Sequence, residues 1–214
     1  LDYNPAFALA QQRGDIQVLF IATPKQWLQH NESDAKLGLK AASLNDLNQS
    51  LAKKGIQFTL LEVDYFVDVP AALSQFCEEN EIESVWFQQE TALDECRRDE
   101  QVGQTLLANH IECHALESDL LVPIPVLTQQ DEPYKVFTPY YRRWRTILED
   151  RPRPPFDEPE KQGKAIKVND IKPGWAGDYR EDLWLAEESD ILQKLQQFCQ
   201  KKLKENRKFK KSNF

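Results

Sequence analysis

Two hydrophobic rhythms alternate along the first 117 residues. Ile16-Gln17-Val18-Leu19-Phe20-Ile21-Ala22 is an almost unbroken apolar run, which suits a strand buried on both faces. From Ser33 or Asp34 the spacing widens to that of a helix, with Leu37, Ala41, Leu44, Leu47 and Leu51 on one stripe and Gly55 closing it. The alternation continues with a strand over 56–63 and a helix from Asp68 to Asn80 that turns Leu73, Phe76 and Cys77 inward. A short strand over 84–87, a helix from Glu95 to Asn109 and a last strand over 111–116 complete it. Ahead of the first strand, Asn4 is a good N-cap and Pro5 a good first helical residue, opening a short helix through Ala10.

Strands separated by helices need crossover connections, and these give a parallel sheet with helices on both faces. The pattern therefore predicts an α/β fold, a Rossmann-like doubly wound parallel sheet of about five strands. Such a sheet carries a strand ahead of its first helix, so the first strand is expected to be missing from this chain. After residue 117 the character changes. The apolar segment 120–126 is broken by prolines and reads as packed extended chain rather than a central strand. Thr138-Pro139 opens a short helix carrying Tyr140, Tyr141, Trp144 and Ile147. A proline-dense, then charged, stretch from Arg151 to Gly174 reads as a linker, and a final helix from Glu187 to about Lys204 places Ile191, Leu195 and Phe198 on one face. The expected organisation is an α/β domain over 1–130, a helix closing it over 131–150, an interdomain linker over 151–185 and, over 186–214, the first helix of a helical region.

Charge adds a constraint. The 214 residues carry 27 Lys+Arg against 35 Asp+Glu, a formal net charge of −8. Residues 201–214 hold seven of the basic residues and one Glu, so 1–200 keep 20 basic against 34 acidic residues. An acidic body argues against a surface built to hold phosphates, since nucleic-acid affinity rests on cationic neutralisation. No window resembles a membrane span or a secretory signal, so neither membrane association nor export is expected. Four cysteines without a C-x-x-C fit small core residues in a reduced, cytoplasmic setting.

The seven glycines form neither G-x-G-x-x-G nor a P-loop, and no G-x-S-x-G elbow is present. His110 and His114 straddle the start of a strand, so local hydrogen bonding explains them better than a metal, and no metal site is expected. The basic run Arg142, Arg143 and Arg145 among aromatics reads as the solvated side of an amphipathic helix. Two segments stand where open α/β sheets place ligands, beyond the carboxyl ends of strands: Ala22 to Asn31 and Gln88 to Glu100. Asp94 and Glu95 begin a helix in the second. Acids there complement the helix macrodipole, and a carboxylate there can equally accept two parallel hydrogen bonds from a heterocycle bearing an N–H beside an amino group.

Four segments carry a family resemblance. Leu1-Asp2-Tyr3-Asn4-Pro5-Ala6 is similar to the end of the opening motif of DNA photolyases and cryptochromes, and Thr23-Pro24-Lys25-Gln26-Trp27-Leu28-Gln29-His30-Asn31 to a segment of their bacterial class I branch. Leu93-Asp94-Glu95-Cys96-Arg97-Arg98-Asp99 resembles that branch's Val-Asn-Glu-Arg-x-Arg-Asp, and Tyr134-Lys135-Val136-Phe137-Thr138-Pro139-Tyr140 its Tyr-x-Val-Phe-Thr-Pro-Phe, followed by Trp144. Order and spacing agree along essentially the whole chain. The resemblance implies the N-terminal α/β domain of a deoxyribodipyrimidine photolyase, a monomeric carbon–carbon lyase that splits cyclobutane pyrimidine dimers in DNA with light. It implies FAD and the damaged DNA in a helical domain expected beyond Phe214, so no catalytic residue is assigned to this chain. It further implies a methenyltetrahydrofolate antenna contacted by His30, Asp94 and Glu95. Asp94 stands where the family has Asn, Cys96 where it has Arg and Tyr3 where it has Asp. A cryptochrome-like blue-light photoreceptor is the alternative the resemblance leaves open.

Overall fold

The computed structural model of the chain describes residues 4–116, 120–122, 125–150 and 159–202. Outside them lie Leu1 to Tyr3 of the opening motif, Pro123 and Ile124, the proline-dense start of the expected linker (151–158) and the basic tail from Leu203. In chain order the elements are α1 (Pro5–Gln11), β1 (Gln17–Ala22), α2 (Pro24–Gln29), α3 (Asp34–Lys53) and β2 (Gln57–Glu62). A 3-10 turn (Phe66–Asp68) leads into α4 (Val69–Glu79), followed by β3 (Ser84–Gln88), α5 (Leu93–Ala108) and β4 (Glu112–Leu116). Then come α6 (Phe137–Asp150) and α7 (Glu188–Gln197), which runs into a π-helical turn over Phe198–Lys202. The α/β alternation with parallel strands is as expected. Among the described residues four strands form two two-stranded parallel sheets, β1 with β2 and β3 with β4. The chain correspondingly divides into two compact units, residues 1–16 with 63–160 and residues 17–62 with 161–214.

In the second of these units, β1 and β2 register from Gln17 opposite Gln57 to Ala22 opposite Glu62. The crossover between them is α3, capped by the Ser33 hydroxyl, which accepts from Lys36 N, and burying Ala41, Leu44, Leu51 and Ala52. Residues 162–177, within the stretch expected as linker, lie along α3 as an extended strap. Gln162 N and Ile166 N donate to the carbonyls of Lys54 and Ala52 at the helix end. Asn48 Nδ2 donates to the Asn169 carbonyl, and the Asn45 amide both donates to and accepts from the backbone of Ile171. Glycines allow the closest approaches: a Cβ at Gly177 would lie 2.5 Å from Asp34 O, and one at Gly55 would lie 2.7 Å from the Gly163 carbonyl carbon.

In the other unit, β3 and β4 register from Ser84 opposite Glu112 to Gln88 opposite Leu116. α1 packs on this sheet, and α5 packs on both β4 and α4. The core is built from Ala6, Val69, Leu73, Cys77, Val102, Leu106 and Ile111, with Val122 and Val126 of the proline-broken segment also buried. Asn109 Nδ2 donates to the Ser74 hydroxyl and ties the end of α5 to α4.

Helices α2, α3, α4 and α5 end by one device. A residue of positive φ follows the cap (Asn31, Gly55, Glu81, His110), and the next residue donates back across the last turn. Those bonds run Glu32 N to Trp27 O, Ile56 N to Leu51 O, Ile82 N to Cys77 O and Ile111 N to Leu106 O. They satisfy carbonyls that the helix leaves without partners. Three of the four then deliver an isoleucine at the entry to a strand, directly ahead of β2 and β4 and one residue further back from β3. His110 is thereby explained as a turn residue.

Candidate functional site

The segment after β3 is held by a buried carboxylate. α5 starts at Leu93 behind Ala92, whose side chain offers no cap, so the N-terminal turn needs support from elsewhere. Asp99, 8 % exposed, supplies it: its Oδ2 accepts from Glu90 N at 3.1 Å, drawing the preceding loop onto the helix. Its Oδ1 takes two guanidinium N–H groups of Arg98, at 3.0 and 2.7 Å. Arg98 also lies 5.0 Å from the centre of the Phe66 ring, and the Cys96 thiol donates to the Glu90 carbonyl at 3.2 Å.

This leaves the two expected acids in the first turn of α5 in different states. Asp94 is exposed and 3.3 Å from Arg97, one turn along. Glu95 is half-buried and has no hydrogen-bond or ion-pair partner among the described residues. A groove opens beside the same loop, between α5 and β4, lined by Glu90, Cys96 and Asp99 but by neither Asp94 nor Glu95.

His30 belongs to the other unit. Within the segment Ala22 to Asn31, expected to stand where such sheets place ligands, Pro24–Gln29 form the helix α2, because Pro24 occupies its first position and costs no hydrogen bond there. His30 is its C-cap, exposed, with Nε2 3.0 Å from Gln26 Nε2. Trp27 anchors the helix. It is 7 % exposed, 6.5 Å from the Phe20 ring and 5.0 Å edge-on from Trp175, with Lys40 Nζ 3.8 Å from its ring centre. Trp175 Nε1 in turn donates to Glu62 at 2.8 Å. The geometry thus brings Asp94 and Glu95 together and describes His30 in a separate unit.

Sequence reasoning did not single out Asp99 beyond its place in the motif. The available signal was an acid six residues into a helix, at a position that faces inward with Val102 and Leu106. The histidine pair is not a ligand pair: His114 stacks on Trp86, with centroids 3.7 Å apart, and lies 3.1 Å from Glu112. Among the described residues, no cluster of three or more His, Cys, Asp or Glu is placed to hold a metal, and no helix is long and apolar enough to cross a membrane. Of the four cysteines expected in the core, Cys77 is buried and Cys113 half-buried, while Cys96, at the rim of the groove, and Cys199 are exposed. Burial pushes the Cys113 thiol pKa up, with Asp99 adding to it.

The DNA photolyase family model matches residues 1–160. The chain belongs to the DNA photolyase family. The deoxyribodipyrimidine photo-lyase of Escherichia coli is 35 % identical over 150 residues, covering 69 % of this chain and 31 % of that protein. The enzyme of the same name from Vibrio cholerae is 29 % identical over 213 residues, covering 94 % of this chain and 45 % of its own length. The chain therefore spans less than half the length of these curated relatives. Among solved structures, an archaeal photolyase from Sulfolobus tokodaii, described with two FAD molecules and a novel light-harvesting cofactor, superposes with a TM-score of 0.61 at 22 % identity. That superposition covers 77 % of this chain and 35 % of the other.

Proposed function

We propose that the chain is the α/β portion of a deoxyribodipyrimidine photolyase. The longer protein splits cyclobutane pyrimidine dimers in DNA under light, and this portion holds a light-harvesting antenna. The observation that carries the reading is the family match over 1–160, joined to relatives named for this activity. Those relatives are photolyases, which favours repair over a photoreceptor role.

Glu95 fits the antenna assignment. A half-buried carboxylate with no partner, beside the open N-terminal turn of a helix, is an acceptor held ready for the N–H and amino group along one edge of a pterin. Asp94 stands next to it but is engaged by Arg97 and contributes less. His30 is carried by the family resemblance alone. A bound methenyltetrahydrofolate supplies near-UV absorption and passes excitation to a flavin, which on this reading sits in the part of the protein that the chain does not span.

Adding methenyltetrahydrofolate to the purified chain should give a shifted near-UV absorption band. Glu95→Gln should weaken binding about tenfold, as expected for losing a charge-assisted hydrogen bond, and Asp94→Asn much less. An unshifted band, or equal binding by the Glu95 variant, removes the antenna assignment. Failure of the longer protein to restore irradiated DNA under near-UV or blue light removes the repair assignment.

A further inference from the structure

Beyond the antenna and the repair reaction, the outer edge of β4 has the makings of a second docking surface. β4 pairs with β3 along one side. Glu112 N donates to Glu83 O, and Leu116 O accepts from Gln89 N, so these residues direct their backbone groups inward. Strand alternation then turns the N–H and C=O groups of Cys113 and Ala115 to the opposite side, where they meet no partner among the described residues. Cys113 is half-buried and Ala115 exposed, and a bare strand edge is a template for another chain.

A groove of about 570 Å³ lies along this edge and against α5. Gly103, Leu107, Ile111 and Cys113 form its apolar floor, with Leu107 75 % exposed. Glu90, Glu100 and Glu112 stand around it, and no Lys or Arg lines it.

We infer that this edge receives an extended, basic polypeptide segment of a partner protein, added as a strand beside β4. Its backbone would pair with Cys113 and Ala115, its apolar side chains would enter over Gly103 and Leu107, and its Lys or Arg side chains would face the three glutamates. Main-chain pairing gives affinity and the alternate side chains give selectivity, as in other strand-addition interfaces.

Gly103 makes the test clean. A Cβ there would meet nothing closer than Cys113 Sγ at 4.0 Å, and a larger residue in place of a helical glycine favours the helix. The Gly103→Leu variant should fill the groove without unfolding the chain, which an unchanged or raised thermal midpoint would verify. The probe is a short fluorescent peptide of alternating lysine and valine. It should bind the chain, more weakly as salt rises, and lose at least about tenfold with Gly103→Leu and about threefold with Glu100→Lys. A backbone N-methylated version of the peptide should not bind. Equal binding of an alternating glutamate–valine peptide, equal binding of the N-methylated peptide, or an undiminished Gly103→Leu complex would each overturn the inference. So would a concentration-dependent dimer abolished by Gly103→Leu, which would give the edge to a second copy of the chain.

Discussion

Acidic residues along α5 meet unlike fates within two turns. Asp99 is buried and fully engaged, Asp94 is exposed and paired with Arg97, and Glu95 is half-buried and unengaged. Replacing Asp99 with alanine strands two partners at once, the Glu90 N–H and the Arg98 guanidinium. The variant should lose about 2–3 kcal/mol of stability in urea unfolding. A loss below about 0.5 kcal/mol would show that the loop is held by other means. The cysteines differ in the same way. Burial raises the Cys77 thiol from 9.0 to about 11, with Glu78 adding a smaller push. A folded-state pKa above the unfolded one stabilises the fold fully below pH 9, and that contribution is lost as pH climbs to about 11. The fall in stability between pH 9 and 11 should be steeper in the native chain than in Cys77→Ala, and alkylation at pH 8 should mark Cys96 and Cys199 well before Cys77. The sequence made Asp94 and Glu95 visible because their position at a helix start is local information. It could not separate the free acid from the paired one, nor reveal Asp99's hold on Glu90, because those depend on which way each turn faces.

At the level of elements, β1 was readable as an almost unbroken apolar run, and the other strands as short, partly apolar stretches bracketed by helical spacing. Three helix ends were readable in part, since Gly55 advertises its turn while Glu81 and His110 occupy the same conformation without a residue type that signals it. The strap over 162–177 was not readable. It has no hydrophobic period, and its order comes from hydrogen bonds to α3 carbonyls and to Asn45 and Asn48, more than a hundred residues earlier. Its glycines give a test with an internal control. Gly177→Ala would push a methyl group against the Asp34 backbone, whereas a Cβ at Gly174 meets nothing within 4 Å. The first substitution should cost about 1–3 kcal/mol and expose 162–177 to limited proteolysis, while the second should leave both unchanged. Similar behaviour of the two variants would mean that the strap is not seated on α3 through Gly177.

For the chain as a whole, charge decides what can associate with it. Residues 1–200 carry 34 acids against 20 bases, and the compensating surplus is concentrated in 201–214. Duplex DNA is held largely by the release of counterions from phosphates that Lys and Arg neutralise, so the acidic body repels what the basic tail attracts. This chain should therefore bind duplex DNA only weakly, at about the non-specific level of 10⁻⁴ M or above at physiological salt, and indifferently to pyrimidine dimers. What binding there is should vanish on truncation after Gln200, and before truncation it should fall steeply with salt. Fluorescence anisotropy of a labelled duplex, with and without dimers and across a salt series, reads all three quantities. Tight binding that survives both truncation and salt would place a DNA-reading surface on the α/β portion itself. That outcome would contradict the proposed division of labour, in which this portion gathers light and the rest of a longer protein grips the lesion.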